Sequence, residues 1–129
     1  MNWKKSEEFA KPVLRVSMGL VFLWFGPQQI SNPGAWTGFV PAFTSFLGNP
    51  ENLVIGNAIF ELIFGAFLII GLYTRLSAIL LSLHLFGIAI SIGITPVGIR
   101  DLGLALATLA IFLGGKDKYC LDKKFNGGG

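Results

Sequence analysis

Charged residues are scarce in this chain. Lys, Arg, Asp and Glu make up 13% of its 129 residues, whereas about 25% is usual in a soluble domain. Apolar residues account for 53% of the sequence. This composition excludes an ordinary soluble domain and indicates a protein that lies in a lipid bilayer. The net charge of +3 follows from membrane topology, so it does not indicate nucleic-acid binding.

The sequence also has a single cysteine, Cys120, and a single histidine, His84. One cysteine forms no internal disulfide and no Cys-x-x-Cys pair, which excludes a self-contained quinone-linked disulfide oxidase. One histidine cannot supply both axial ligands of a b-type haem within one chain. No spacing of His, Cys and carboxylates is typical of a metal site. We therefore expect no intrinsic cofactor and no bound metal.

Four long apolar segments are what the sequence does contain. They cover residues of about 13–30, 53–72, 76–95 and 97–114, and a loop covers 31–52. A helix of about 20 apolar residues spans the ~30 Å hydrocarbon core of a bilayer. The sequence thus predicts an all-α membrane protein with one domain, 1–129, folded as a four-transmembrane-helix bundle.

The basic residues predict the orientation of the four helices. If the helices alternate in direction, one side of the membrane receives Lys4, Lys5, Lys11, Arg75, Lys116, Lys118, Lys123 and Lys124. The other side receives Arg100. Because positively charged loops stay inside, we expect both termini to be cytoplasmic.

An acidic residue interrupts the second apolar segment. Glu61 has Asn57 one helical turn before it and Gly65 one turn after it, on the same face. An ionisable group at the helix centre costs about 2.5 to 3.5 kcal/mol on insertion scales, so it must face a partner, a cavity or a ligand. A rise of about 1.5 Å per residue puts His84 at a similar depth, where the two side chains can meet.

Every predicted helix has one side of small or polar residues, and such seams usually mark contacts between helices. The seams contain Arg15, Gly19, Gly26 and Gln29 in the first helix, Asn57, Glu61 and Gly65 in the second, Ser77, His84, Gly87 and Ser91 in the third, and Arg100, Gly103, Ala107, Ala110 and Gly114 in the fourth. Arg15 lies near the predicted cytoplasmic boundary, where its side chain could reach the membrane surface.

These polar residues form one candidate site. Glu61 and His84 are the candidate catalytic residues, as proton-accepting groups. The candidate cofactor-binding residues are Arg15, Gln29, Asn57, Arg100 and Asp101. A structural alternative stays open, in which Glu61 fixes the helix register through a buried ion pair or a protonated carboxyl. In that alternative Arg15, Arg100 and Asp101 serve topology, ion pairing and helix ends.

The loop at 31–52 has no lysine or arginine but carries aromatic residues at three- and four-residue spacing. These are Trp36, Phe39, Phe43 and Phe46. We favour an interfacial anchor that lies on the membrane, and the alternative is a lid over the outer opening of the bundle.

Three stretches resemble the DoxX family of small membrane proteins over about Pro12 to Asp122. The segment VLRVSMGLVFLWFGPQQI resembles the family's opening LR..lG..f...G..K, and the segment from Glu61 into GLYTRLSAILLSL resembles its E..gg.lLi.Gl.tr. LALATLAIFLGGKDKYCLD resembles the last helix and the following gG...slD. Two positions depart from the family, since Gln29 stands where it often has a basic residue and Phe25 where it often has histidine.

The resemblance implies a four-helix bundle with Arg15, Glu61 and Arg75 as shared polar positions. It also implies an integral-membrane subunit of a quinone-linked or thiol/oxygen-stress oxidoreductase assembly in a prokaryotic cytoplasmic membrane. In such a subunit the polar seam would either receive a quinone head group or relay protons, and the chain would need partner protein subunits or a homo-oligomer. The second hypothesis is a non-enzymatic membrane scaffold or a bundle that binds a lipid or small solute. A transporter is less favoured, because four short helices would normally need to oligomerise.

Overall fold

The computed structural model describes residues 2–40 and 42–121, apart from the side chains at positions 39, 42, 43 and 45. The described residues form helices and no strand. They comprise a short helix α1 (Trp3–Glu7) and four long helices, α2 (Ala10–Ser31), α3 (Pro50–Ile70), α4 (Thr74–Ile92) and α5 (Pro96–Gly114). Two 3₁₀ helices, Pro33–Phe39 and Ala42–Leu47, lie between α2 and α3 and are called the loop helices.

The four long helices have the length and apolarity needed to cross a membrane. The candidate span that contains α2 has a mean hydropathy of 1.3, and the spans of α3, α4 and α5 have 2.3, 1.8 and 1.7. Large apolar side chains point outward from all four helices, among them Leu20, Trp24, Ile63, Leu83, Leu106 and Leu113. Such an outer surface suits contact with lipid. The prediction of a four-transmembrane-helix bundle is confirmed.

Side-chain caps and glycines set where the helices begin and end. Asn49 caps α3 by accepting a hydrogen bond of 2.9 Å from the backbone N–H of Glu51, so α3 begins three residues before the predicted 53. Gly71 ends α3 with φ of +75°, a conformation that favours glycine. A Cβ on Gly71 would lie 2.5 to 2.7 Å from atoms of Cys120, so this position also needs the missing side chain.

The helices pack as two antiparallel hairpins, α2–α3 and α4–α5. In the first hairpin a Cβ on Gly19 would lie 2.5 Å from Cγ1 of Ile69 and 2.9 Å from the carbonyl oxygen of Gly65. Glycine therefore lets the two backbones come together. In the second hairpin the Ser82 hydroxyl donates to the Ala105 carbonyl over 2.9 Å. Contact between the hairpins is sparser than contact within them.

The predicted seam of α5 is wrong, and that of α4 is wrong in part. Gly103 and Ala110 are exposed, and α5 buries Gly98, Asp101, Ala105, Thr108 and Ile111 instead. On α4, Ser91 is exposed while Ser77 and the unpredicted Ser82 are fully buried. Asp101 and Thr108 carry polar groups that lipid cannot hydrogen-bond, and this favours turning their face of α5 inward.

The two ends of the bundle differ. The end that holds Lys11, Gly114 and the segment 115–121 is called the terminal end. There the Lys11 ammonium donates to the Gly114 carbonyl over 2.8 Å, and Lys118 pairs with Glu8 at 3.1 Å. The opposite end, which carries the loop helices, is called the loop end. At the loop end α3 extends further than α2. Gly26 of α2 lies beside Leu62 of α3, and from this contact α2 ends at Ser31 while α3 continues back to Pro50. The loop helix Pro33–Phe39 packs against α3.

Candidate functional site

A cavity of about 550 Å³ lies between the two hairpins in the loop-end half of the bundle. Its wall is mostly apolar and is formed by all four long helices and both loop helices. The aromatic and polar lining residues are Phe22, Phe25, Gln29, Trp36, Thr44, Asn52, Asn57, Phe60, Glu61, His84, Arg100 and Asp101. The volume is within the range of about 300 to 1,000 Å³ that is usual for small-molecule sites.

A hydrogen-bonded group of three side chains joins α2 to α3 at the cavity wall. The Gln29 amide donates to Oε2 of Glu61 over 3.2 Å, and the Asn57 amide donates to Oε1 of Glu61 over 3.3 Å. Asn57 also donates to Oε1 of Gln29 over 2.6 Å. Glu61 is only 4% exposed. The carboxyl group in the membrane span is therefore surrounded by side chains of the protein and does not face lipid.

His84 brings α4 to the same group. Its Nε2 atom lies 3.7 Å from Oε1 of Glu61, which is beyond hydrogen-bond distance. Its ring packs against Phe60 with the centroids 5.0 Å apart. Among the described residues, neither Nε2 of His84 nor Oδ1 of Asn57 has a hydrogen-bond partner. Both atoms are buried, so the side chains that line the cavity include polar atoms whose hydrogen-bonding capacity is unused among the described residues.

Arg100 and Asp101 form a second polar group toward the loop end. The guanidinium of Arg100 donates to Oδ1 of Asp101 over 3.2 and 3.3 Å, and Asp101 is 6% exposed. The same guanidinium lies 5.6 Å from the ring centroid of Phe25, a cation–π distance. Phe25 thereby connects α2 to α5 across the cavity.

The loop helices cover the cavity. Trp36, Val40, Thr44 and Leu47 line it, and the ring of Trp36 meets that of Phe25 edge-on at 5.6 Å. This arrangement supports the lid, the alternative to an interfacial anchor. Phe46 is 79% exposed and stays available as a membrane anchor. The side chains of Phe39 and Phe43 lie outside the described residues.

Arg15 lies apart from this cavity, at the terminal end. Its guanidinium donates to Asp117 over 2.9 and 3.4 Å and to the carbonyls of Leu68 and Ile69 over 2.6 and 2.7 Å. Arg15 is 3% exposed, so the expectation that it reaches the membrane surface is wrong. Instead it satisfies carbonyl groups at the end of α3. The predicted site residues therefore do not all lie together, since Arg15 is at the terminal end and the others line the cavity.

Arg15 lowers the pKa of its partner, Asp117. Burial raises the pKa of Asp117, but hydrogen bonds from the Arg15 side chain and the Tyr119 backbone, together with the positive charge of Arg15, outweigh it. The pKa of Asp117 is therefore below its ordinary value. The Asp117 carboxylate also accepts the backbone N–H of Tyr119 over 2.9 Å. These bonds attach the segment after α5 to α2 and α3.

Sequence reasoning missed Asp117 and the cavity-lining role of Trp36. A buried arginine near a helix end needs a carboxylate as its partner. The sequence does not select that partner, because Glu7, Glu8, Asp117 and Asp122 all fall on the same side of the predicted bundle. The sequence did indicate that Trp36 has a role at the membrane or the cavity, because it is an aromatic residue in a loop without basic residues. That signal does not distinguish a lid from an anchor.

Four apolar spanning helices around an interior carboxyl group define a multi-pass membrane protein in contact with the lipid bilayer. The family profile for DoxX matches residues 10–94. The chain belongs to the DoxX family. The matched region includes Arg15, Gln29, Asn57, Glu61 and His84.

The C-terminal stretch with Arg100, Asp101 and Asp117 lies beyond the matched region. Comparison with curated proteins gave no match, and comparison with solved structures gave none either.

Proposed function

We propose that this protein is an integral-membrane subunit of a quinone-linked or thiol/oxygen-stress oxidoreductase assembly, and that its cavity binds the quinone head group. The observation that carries the proposal is the Glu61–Gln29–Asn57 group with His84 beside it, on the wall of a largely apolar cavity inside the membrane span. An ionisable residue in a transmembrane helix is by default a functional-site hypothesis.

The residues present fit a quinone. A quinone head group is a flat ring with carbonyl oxygens that accept hydrogen bonds, and its reduced form has hydroxyl groups that donate them. Phe25, Trp36 and Phe60 offer aromatic surface to such a ring. Two buried atoms of lining side chains lack a partner among the described residues: Nε2 of His84, a donor when it carries a proton, and Oδ1 of Asn57, an acceptor.

A bound quinone would supply the redox chemistry, taking up or releasing two electrons and two protons. The role of this chain is to bind the head group and to exchange protons with it. His84 of the neighbouring hairpin lies 3.7 Å from Glu61, so a small movement of either side chain would bring the pair within hydrogen-bond distance and let it take a proton from a ligand or give one to it. Asn57 and Gln29 hold the carboxylate in place from the other side.

Electrons must come from partner subunits in this proposal. A single histidine and a single cysteine do not provide a haem or an iron–sulfur centre within the chain. In a prokaryotic cytoplasmic membrane with both termini inside, the terminal end would face the cytoplasm and the loop end the outer side. A partner that donates electrons to the cavity would then approach at the loop end.

Quinone binding can be measured through Trp36, because benzoquinones quench tryptophan fluorescence on contact. A protein with Trp3 and Trp24 replaced by Phe keeps Trp36 as its single tryptophan. Titration with a benzoquinone that carries a decyl chain, in lipid nanodiscs, should give saturable quenching. The matched carboxyl variants are Glu61→Gln in the cavity and Glu7→Gln on the exposed helix α1.

We expect Glu61→Gln to weaken binding about tenfold or more, because it removes the negative charge beside His84, the proposed donor to the quinone carbonyl, and a hydrogen bond from a charged donor contributes about 1.5 to 3 kcal/mol. Glu7→Gln should leave the dissociation constant unchanged. Quenching that never saturates, or that Glu61→Gln leaves unaltered, would contradict the proposal.

The second candidate function is a non-enzymatic scaffold, and one observation favours it. Glu61 already accepts hydrogen bonds from Gln29 and Asn57, which is what a residue that fixes helix register would do. On this alternative Glu61→Gln changes thermal unfolding or assembly in detergent and changes neither quinone binding nor quinone reduction by the assembly. The titration above therefore separates the two functions.

A further inference from the structure

Most sides of the cavity are closed by contacts between the described residues. The α2–α3 side is packed, since a Cβ on Gly26 would lie 2.5 Å from Cγ of Leu62. The α2–α5 side is bridged by Arg100 over the ring of Phe25. The α4–α5 side is held by the hydrogen bond from Ser82 to the Ala105 carbonyl.

The loop end is covered as well. Trp36, Val40, Thr44 and Leu47 of the loop region line the cavity there, and Trp36 packs edge-on against Phe25. A ligand that came from water along the bundle axis would have to displace this cover. The terminal-end half of the bundle is filled by core side chains, among them Met18, Leu68, Ala78 and Leu81.

The remaining side lies between α3 and α4, and two glycines border it. Gly56 of α3 and Gly87 of α4 both line the cavity, and a Cβ on either would meet no atom within 4 Å. Leu83, which lines the cavity too, is 60% exposed on the outer surface. The cavity therefore reaches the lipid-facing surface beside these residues. Toward the terminal end, Phe60 and His84 close the gap with their rings 5.0 Å apart.

We infer that this gap between α3 and α4, bordered by Gly56 and Gly87, is a side entrance from the bilayer. The ligand class that it suits is an amphiphile with a polar ring or head group and a long apolar chain. The head group lies at the Glu61–His84 wall, and the chain passes out between α3 and α4 into lipid. This inference rests on the proposed function in taking the cavity to be a ligand site.

The contacts around the gap give a physical reason for the ligand class. A bilayer-resident chain can stay in hydrocarbon while its head group moves sideways into the protein, so it does not lose apolar contact on binding. Positions 56 and 87 carry no side chain, and an added Cβ at either would meet no atom within 4 Å, so both positions border open space at the gap. A water-soluble solute gains nothing from an opening onto lipid.

The experiment uses the single-tryptophan protein that retains Trp36, in nanodiscs, with the decyl benzoquinone and a chainless, water-soluble benzoquinone as probes. Gly87→Leu and Gly56→Leu narrow the gap. Gly103→Leu is the matched control, because Gly103 is an exposed glycine outside the cavity lining whose Cβ would also meet no atom within 4 Å. The readout is the rate of quenching after mixing.

We expect Gly87→Leu and Gly56→Leu to slow quenching by the decyl probe about tenfold, as for association that needs a conformational change. The rate for the chainless probe should change less than about twofold, and Gly103→Leu should change neither rate. Equal slowing of both probes in the gap variants, or no slowing, overturns the side entrance. Either result leaves quinone binding itself intact.

Failure of quinone binding would be seen separately, as no saturable quenching in the unmodified cavity. The same proteins in nanodiscs of a phospholipid with brominated acyl chains then test the entrance, since bromine also quenches tryptophan on contact. Quenching of Trp36 that Gly87→Leu relieves and Gly103→Leu does not supports the entrance for a lipid chain. Quenching that is equal in all three proteins overturns it.

Discussion

Gln29 of α2 donates a hydrogen bond of 3.2 Å to the carboxylate of Glu61 on α3, and both side chains are at least nine-tenths buried within the membrane span. Glu61 here therefore has a neutral hydrogen-bond donor as its α2 partner. Among the described residues, the basic side chain nearest to the carboxylate is His84, at 3.7 Å.

This relationship predicts a loss of stability when Gln29 is made apolar. Gln29→Leu leaves Oε2 of Glu61 without its donor, and we expect a cost of about 1 to 3 kcal/mol in the free energy of unfolding. Gln28→Leu is the matched control, because Gln28 is exposed on the neighbouring position of α2. Unfolding in detergent, followed by circular dichroism, measures both variants. Equal stability of the two proteins would mean that the Gln29–Glu61 bond does not hold the hairpin.

Replacing His84 should affect ligand binding rather than stability, in contrast to replacing Gln29. Its Nε2 atom has no hydrogen-bond partner among the described residues, so His84→Leu removes no hydrogen bond made by this atom, and leucine can keep the apolar contact with Phe60. We expect a change in the free energy of unfolding below about 0.5 kcal/mol and quinone binding weaker by about tenfold. Fluorescence titration of Trp36 and unfolding in detergent measure the two effects. A variant that is unstable but binds normally would remove His84 from the site.

The close approach of α2 and α3 predicts a strong effect at Gly19. Gly19→Ala places a methyl group 2.9 Å from the backbone oxygen of Gly65 and 2.5 Å from the Ile69 side chain. Overpacking of this kind costs about 1 to 3 kcal/mol. Gly103→Ala, whose methyl group meets no atom within 4 Å, is the control and should be neutral or slightly stabilising. Thermal unfolding of both proteins in the same detergent checks the difference.

The Arg15–Asp117 pair predicts a pH dependence of stability. The pKa of Asp117 is lower in the folded protein than its ordinary value, so the unfolded chain binds this proton more readily. The stabilisation is complete above the unfolded pKa of about 3.9 and is lost as pH falls through the folded pKa.

Asp117→Asn should lower the unfolding midpoint at pH 7 and flatten its decline in acid. Glu7→Gln, on the exposed α1, is the control that should keep the decline. An Asp117→Asn protein that loses stability in acid as steeply as the parent would contradict this assignment.

Sequence reasoning predicted the helices and the central residue of the site for a simple physical reason. A helix that crosses the hydrocarbon core needs about twenty apolar residues, and a charged residue within it needs a partner. Both features can be recognised in the sequence around Glu61. The polar residues also predicted which faces of α2 and α3 point into the bundle. These are Arg15, Gln29, Asn57 and Glu61, all at least half-buried.

The orientation of α5 could not be read in the same way. Two faces of α5 have small residues at helical spacing, one with Gly103, Ala107 and Ala110 and one with Asp101, Ala105 and Thr108. Only the tertiary contacts decide between them, here the bond from Ser82 to the Ala105 carbonyl. The partner of Arg15 was hidden for a related reason, since Asp117 reaches it through a chain reversal after Gly115 that periodicity does not encode.

The central claim is that a ligand head group lies beside Glu61 inside the bundle, and photolabelling tests it most directly. A decyl benzoquinone with an azide on the ring would be irradiated with the protein in nanodiscs, and the labelled residues mapped by mass spectrometry. The account predicts labels on Trp36, Phe60 and Leu83, displaced by unlabelled quinone and reduced in Glu61→Gln. Labels confined to lipid-facing residues such as Leu20 and Trp24, with no displacement by unlabelled quinone, would contradict it.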